Sequence, residues 1–320
     1  MKIVILDAYA ANPGDLSWDG IAAYGTLTVY DRTPGEKIVS RIADNEIVFT
    51  NKTPISRQTI EACPSIRMIC LLATGYNIVD VDAARERGIP VCNIPAYSTD
   101  AVAQMALALL MEACQRVGEY TTACHGGAWE NCPDFCFWNA PLMELSGKTA
   151  GIVGYGRIGQ AFGKILMAMG MKLLVTANHP RPELESDACR YVSLDELYAN
   201  ADVISLHCPL FPETAQMINR RSIAKMRDGV ILINTSRGGL VNEQDLADAL
   251  KSGKVAAAGL DVVSKEPIEP TNPLLGAPNC FMTPHIAWAP FETRKRLLGI
   301  AEDNLRAFVQ GHPIHVVNGL

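Results

Sequence analysis

Three side chains in the last third of the chain could do chemistry together: Arg237 in "TSRGG", Glu266 in "SKEP" and His285 in "TPHIAW". Arginine offers a planar fork that grips a carboxylate through two hydrogen bonds. Histidine titrates near neutral pH and can deliver or take back a proton. A carboxylate at its second ring nitrogen fixes the imidazole and favours its charged form. Reduction of a 2-keto acid asks a protein for these things: a hold on the carboxylate, a proton for the carbonyl oxygen, and a group that keeps the proton source in place. Taken singly, each residue also has a plain structural reading, as an ion-paired arginine, a loop glutamate or a hydrogen-bonded core histidine. The combination carries the chemical reading.

Such a reduction also needs a hydride. Gly154-Tyr155-Gly156-Arg157-Ile158-Gly159 follows the apolar run "AGIV" and opens a helical pattern, "GRIGQAFGKILMAMG". In that context the first glycine permits a tight turn, the second lets a pyrophosphate approach the backbone, and the third packs helix on strand. The N–H groups at the helix start then face the phosphates. About 20 residues further on, an acid normally accepts the ribose hydroxyls of NAD. Here the segment reads "LLVTANHPRP", with Ala177 at the acid's place. Without a carboxylate to repel it, a 2′-phosphate is tolerated, and Asn178, His179 and Arg181 can donate hydrogen bonds to it. The expectation is an NAD(P) site that favours NADP(H) and still accepts NAD(H).

The elements that must position these residues follow an α/β rhythm. "KIVILDAY", "EIVFT", "IRMICLL" and "IPVCNI" read as buried strands, separated by the helical patterns "EKIVSRIADN", "ISRQTIEAC" and "VDVDAARERG". A long helix then begins near Ser98-Thr99-Asp100, all able N-caps, with Val102, Met105, Ala106, Leu109, Leu110 and Ala113 on one face. A second series follows: "KTAGIVGYG", "KLLVTAN", "DVISLHCPL", "GVILINTSR", "KVAAAGLDVV" and "FMTPHI" as strands, with helices between them. Parallel sheets covered by crossover helices are the expected architecture. Arg237, Glu266 and His285 fall at or just past strand carboxyl ends, where open α/β sheets bind ligands. The final amphipathic helix, "FETRKRLLGIAEDNLRAFVQG", is expected to return to the first domain.

The order and spacing of "GIVGYGRIGQ", "DVISLHCPL", "ILINTSRGG", "GLDVVSKEP" and "TPHIAW" resemble the D-isomer-specific 2-hydroxyacid dehydrogenase family over essentially the whole chain. "CNIPAYSTDAVAQ", "DFCFWNAPLMELSGKT" and "HIAWAP" are similar to its glycerate dehydrogenase branch, which reduces hydroxypyruvate and glyoxylate. The resemblance implies two Rossmann-like or flavodoxin-like parallel-sheet domains. A dinucleotide-binding domain of about 100–288 would be inserted into a substrate domain of 1–99 and 289–320, in a homodimer. It implies Arg237, Glu266 and His285 as the catalytic trio, and Arg157 and Ile158 at the pyrophosphate. Cys208, Thr235 and Asp261 would line the nicotinamide side, and Ala73, Thr74 and Gly75 would hold the substrate carboxylate by backbone N–H. Ala177 departs from that branch's usual Asp.

Other features weigh less. A net charge of −6 argues against a nucleic-acid binder. The short apolar opening ends at Asp7, and no run reaches the length of a membrane span. The ten scattered cysteines then read as free thiols of a reducing cytoplasm. Cys124, His125, Cys132 and Cys136 fit a structural zinc site only loosely, so no metal is expected. The aromatic segment 118–147 reads equally as a dimerisation arm or as a loop packed on its own domain. Two other functions remain open on the same fold: reduction of bulkier 2-keto acids, and a nucleotide-sensing interaction protein.

Overall fold

The computed structural model describes every residue from Met1 to Leu320, in two compact units. One unit comprises Met1–Tyr97 with Ala289–Leu320, and the other Ser98–Trp288. Each is a parallel α/β sandwich.

In the first unit, strands β1 (Lys2–Ile5), β2 (Thr26–Val29), β3 (Ile47–Thr50), β4 (Met68–Leu71) and β5 (Val91–Cys92) form a sheet of order β2-β1-β3-β4-β5. Helices α1 (Asp19–Ala22), α2 (Ile38–Ile42), α3 (Arg57–Ala62) and α4 (Val81–Glu86) connect them. Strands β3 and β4 are buried at every position, as continuous apolar runs in a two-faced parallel sheet should be. The strand order reverses between β1 and β3, the place where such sheets usually bind a ligand. Here Asp7 occupies that crevice itself: its carboxylate accepts from the backbone N–H of Asn51 (2.7 Å), Lys52 (2.6 Å) and Thr53 (2.7 Å). The amides that might have held a phosphate are satisfied by the chain's own anion.

The second unit holds seven parallel strands: β6 (Thr149–Val153), β7 (Lys172–Thr176), β8 (Cys189–Tyr191), β9 (Val203–Leu206), β10 (Val230–Asn234), β11 (Val255–Leu260) and β12 (Cys280–Met282). Their order, β12-β11-β10-β9-β6-β7-β8, is the doubly wound dinucleotide arrangement with one extra edge strand. Its switch point lies between β6 and β9. Helices α5 (Thr99–Gln115), α6 (Val117–His125), α7 (Arg157–Ala168), α8 (Leu194–Asn200), α9 (Arg220–Lys225) and α10 (Glu243–Ser252) complete it. Ala106, Leu109, Leu110 and Ala113 of α5 join Phe162 and Leu166 of α7 in one core cluster over the sheet.

The last helix, α11 (Phe291–Val309), belongs to the first unit, where it packs on β4 and α1. Fully buried Asn304 ties it down, donating to Asn93 O (2.9 Å) and pairing with His315 Nδ1 (2.7 Å). Arg294, also buried, grips Asp15 through both carboxylate oxygens at 2.6 and 2.7 Å.

Several sequence expectations are corrected. Strands β2 and β8 are sheet edges, and the mostly exposed "TLTV" of β2 shows no buried run to betray it. Helix α5 starts at Thr99 after Ser98, whose side chain caps nothing. The aromatic segment begins with α6, a helix with no buried residue and hence no apolar periodicity to detect. Strand β12 ends at Met282, before "TPHI", because Pro284 cannot donate to a ladder and His285 adopts a φ of 54°.

Candidate active site

Strand β10 delivers Arg237. Asn234 at its last position is buried and brackets the following turn: its Oδ1 accepts from Ser236 N (3.0 Å) and its Nδ2 donates to Arg237 O (2.9 Å). The next residue must be glycine for a spatial reason. A Cβ on Gly238 would sit 1.9 Å from the Val263 carbonyl carbon, so only a bare backbone passes there. The turn leaves Arg237 exposed at the carboxyl edge of the sheet, with one guanidinium nitrogen donating to Ser236 O (2.8 Å).

Strand β11 delivers Glu266 and the segment after β12 delivers His285. His285 Nδ1 and Glu266 Oε2 are 2.6 Å apart, and both side chains are about one-third exposed. With Nδ1 engaged, Nε2 is the atom left to exchange a proton. Glu266 also accepts from Val263 N (3.3 Å), which holds its carboxylate toward the ring. Because β10, β11 and β12 are consecutive neighbours in the sheet, Arg237, Glu266 and His285 all rise from one side of its carboxyl edge.

The other side of that edge carries the glycine turn. Gly154 has a φ of 95°, and a Cβ there would lie 2.6 Å from Cys208 N, so the loops after β6 and β9 touch at the switch point. A Cβ on Gly156 would meet nothing within 4 Å, which leaves room for a phosphate against the backbone. A Cβ on Gly159 would lie 2.3 Å from Gly154 O, so this glycine lets α7 pack on β6. Arg157 opens α7, with no side chain capping the helix start. Thr235, at the end of β10, is 8% exposed, and its Oγ1 has no hydrogen-bond partner in the protein. Buried hydroxyls are rarely left so, and a carboxamide at this edge would satisfy it. These features fit a nicotinamide dinucleotide laid across the switch point.

Two neighbours of the turn look reactive and are not. His207 is part-buried as a residue, but its ring is enclosed, 5.5 Å from Phe162 and 2.9 Å from Ser205 Oγ. Burial pushes its pKa down to about 4, so it is neutral at physiological pH. Cys208 is part-buried, with its thiol 3.8 Å from Met217 Sδ and its pKa raised by burial, which suppresses the nucleophilic thiolate.

Beyond β7, Ala177 packs half-buried against the core cluster, whereas Asn178, His179 and Arg181 are exposed. A separate groove of about 450 Å³ runs between the starts of α5 and α7. Arg157 lines it with Thr99, Asp100 and Lys164, and none of the trio does. In the first unit, the loop after β4 carries Ala73, Thr74 and Gly75. It is pinned to the end of β5 by Ile94 N to Ala73 O (3.0 Å) and Thr74 Oγ1 to Ile94 O (2.7 Å).

The arm is strongly apolar at its surface. Phe135 is 89% and Trp138 71% exposed, while Trp129 Nε1 donates to Phe135 O (3.0 Å) and Tyr120 meets Phe137 ring to ring. Its cysteines and histidine do not converge: no group of three or more His, Cys, Asp or Glu is arranged to hold a metal ion. All ten cysteines are free, and no helix is long and apolar enough to cross a membrane. Sequence reasoning overlooked Asn234 and Thr283, polar residues whose partners are set by the turns and not by any motif.

Residues 107–287 match the family model described as D-isomer specific 2-hydroxyacid dehydrogenase, NAD binding domain. The chain is 60% identical to a hydroxypyruvate reductase of Blautia hydrogenotrophica, over 99% of this chain and 100% of that one. Among solved structures it resembles a glyoxylate reductase from Paecilomyes thermophila, with a TM-score of 0.82, 33% identity and coverage of 99% and 98%. It also resembles an acyclic imino acid reductase in complex with NADPH and D-Arg, with a TM-score of 0.84, 29% identity and coverage of 99% and 100%.

Proposed function

The chain belongs to the D-isomer-specific 2-hydroxyacid dehydrogenases, oxidoreductases with an NAD-binding domain, and from that premise we propose that it reduces hydroxypyruvate and glyoxylate. The products are D-glycerate and glycolate. The observation that carries the reading is the 2.6 Å His285–Glu266 pair, beside Arg237 on the carboxyl edge of a dinucleotide sheet. The name of the 60% identical relative supports hydroxypyruvate as the first substrate to try.

In this reading, unit 98–288 binds the dinucleotide, and the substrate contacts of the other unit are the backbone N–H groups of Ala73, Thr74 and Gly75. Arg237 holds the carboxylate and the keto oxygen through its fork. A reduced nicotinamide, when bound, would supply the hydride that the 2-keto carbon needs. His285 Nε2 gives its proton to the keto oxygen, and Glu266 on Nδ1 stabilises the imidazolium before transfer and fixes the ring throughout. Gly154, Gly156, Arg157, Ile158 and Gly159 would hold the pyrophosphate, while Cys208, Thr235 and Asp261 would border the nicotinamide.

The nucleotide is NADP(H) by preference, with NAD(H) accepted. Ala177 offers no charge against a 2′-phosphate, and Asn178 and Arg181 are exposed and can donate to one. NADPH in a similar structure supports the choice. Ala177→Asp is expected to move the ratio of kcat/KM for NADPH over NADH toward NADH by about tenfold or more, since like charges in contact cost several kcal/mol. Initial rates with both nucleotides measure it; an unchanged ratio would place the ribose elsewhere.

The exposed aromatic surface of 118–147 fits a homodimer interface, because Phe and Trp are the residues such interface cores favour. A rate comparison tests the substrate class. With NADPH, kcat/KM should rank hydroxypyruvate and glyoxylate above pyruvate, and all three above phenylpyruvate. A reversed ranking would favour bulkier 2-keto acids.

A further inference from the structure

We propose that Asp261 and Thr283 form a clamp that sets the position of His285 by gripping the chain on both sides of it, through the Thr283 hydroxyl before it and two backbone amides after it. The proposal rests on His285 being the acid/base, and it gives Asp261 a task beyond bordering the nicotinamide.

His285 sits in the left-handed region, at a φ of 54°, where a side chain with a Cβ is disfavoured. Something must hold it there: Thr283 N still donates to Leu260 O of β11 at 2.9 Å, but from Pro284 to Ala287 the turn pairs with no strand. What holds it is one buried carboxylate. Asp261, 1% exposed, accepts from the Thr283 hydroxyl at 2.6 Å and from Ile286 N at 2.9 Å on Oδ1, and from Ala287 N at 2.9 Å on Oδ2. The His285 amide itself donates to Asp261 O at 2.8 Å. Residues 283, 285, 286 and 287 are thus all tied to one residue.

Asp261 is anchored in turn. It directly follows β11, and its N–H donates to Asn234 O at 2.9 Å. Asn234 is the residue whose side chain brackets the Arg237 turn. One continuous run of hydrogen bonds therefore fixes the backbone behind both Arg237 and His285. Two carboxylates divide the work on the histidine: Glu266 orients the ring, and Asp261 fixes the chain that carries it. Burial raises the Asp261 carboxyl above its ordinary range, opposed by the Thr283 hydroxyl and the two amides, so those bonds are also what keep it an acceptor.

Asp261 and Thr283 are positioning residues, and their loss should act on turnover even at saturating nucleotide and substrate. A displacement of about 1 Å in a reacting group can cost about 10²-fold. In the full-length protein, Asp261→Asn leaves one side of the clamp with an amide that cannot accept. We expect kcat at saturating NADPH to fall by about 10²-fold while KM for hydroxypyruvate stays within about threefold, with NADPH binding followed separately by nucleotide fluorescence. Thr283→Val removes one hydroxyl at nearly constant shape and should lower kcat by about tenfold, whereas Thr283→Ser, which keeps the hydroxyl, should restore it.

Should Asp261→Asn prove unstable, the Thr283 pair decides alone. The proposal is overturned if both Thr283 variants turn over like the parent, or if Asp261→Asn keeps its kcat while NADPH binding weakens, which would make Asp261 a nucleotide ligand only. His285→Ala separates the two levels. If that variant stays active, the acid/base assignment falls; if it is inactive while the clamp variants are normal, only the clamp falls.

Discussion

His285→Ala should lower kcat for hydroxypyruvate reduction by about 10²–10⁴-fold, the range that a placed general acid contributes. NADPH binding should be unchanged, because no backbone of the glycine turn or of Thr235 depends on the imidazole. The reasoning is geometric. The 2.6 Å bond from Nδ1 to Glu266 commits one ring nitrogen, so the other is the single proton carrier at the edge of the sheet. His207, the other histidine at that edge, is held neutral and shares its Nε2 with Ser205, so it cannot stand in. Stopped-flow nucleotide binding and steady-state rates separate the two effects. A variant with normal kcat would remove the histidine from the mechanism altogether.

Arg237→Lys should reduce kcat/KM by about 10²–10³-fold although the positive charge is kept. A guanidinium grips carboxylate and keto oxygen in a planar, two-pronged geometry that an ammonium cannot reproduce. Charge-assisted hydrogen bonds contribute about 1.5–3 kcal/mol each, and an ammonium that replaces part of the fork forfeits about 3–4 kcal/mol in all, an effect of this size. The loss should appear in KM for the keto acid as well as in kcat, since the fork holds substrate before and during reduction. The NADPH dissociation constant should not move. The local structure allows the experiment: Asn234 and Gly238 set the turn through backbone and shape, so the exchange leaves the turn intact. A lysine variant with parental kcat/KM would show that the carboxylate is held elsewhere.

What could be read from the sequence was whatever rests on local spacing. The glycine turn between an apolar strand and a helix announced the switch point, and the structure gives Gly154, Gly156 and Gly159 three different spatial reasons. The placement of Arg237 and Glu266 at one sheet edge was legible because both follow buried strands, which show as apolar runs, whereas β12, ahead of His285, is only part-buried. Edges are another matter. Strand β2 is mostly exposed and α6 buries nothing, so neither leaves a periodic signal, and both were missed. Polar brackets are harder still. Nothing in "TPHIA" says that Thr283 and two amides will close on Asp261, because that contact joins residues 22 to 26 positions apart across a turn. The same holds for Asp7, whose three amide partners lie at the end of a strand more than 40 residues away.

Ala177 shows the difference between reading a gap and explaining it. The sequence showed only that an acid was missing. The structure shows Ala177 half-buried against the core cluster, with Asn178, His179 and Arg181 exposed beyond it.

One measurement bears most directly on the whole account: the purified protein is incubated with NADPH and hydroxypyruvate, and nucleotide consumed is compared with glycerate formed, resolved by configuration. The account predicts one D-glycerate for each NADPH oxidised. No oxidation, or formation of the L isomer, would contradict it.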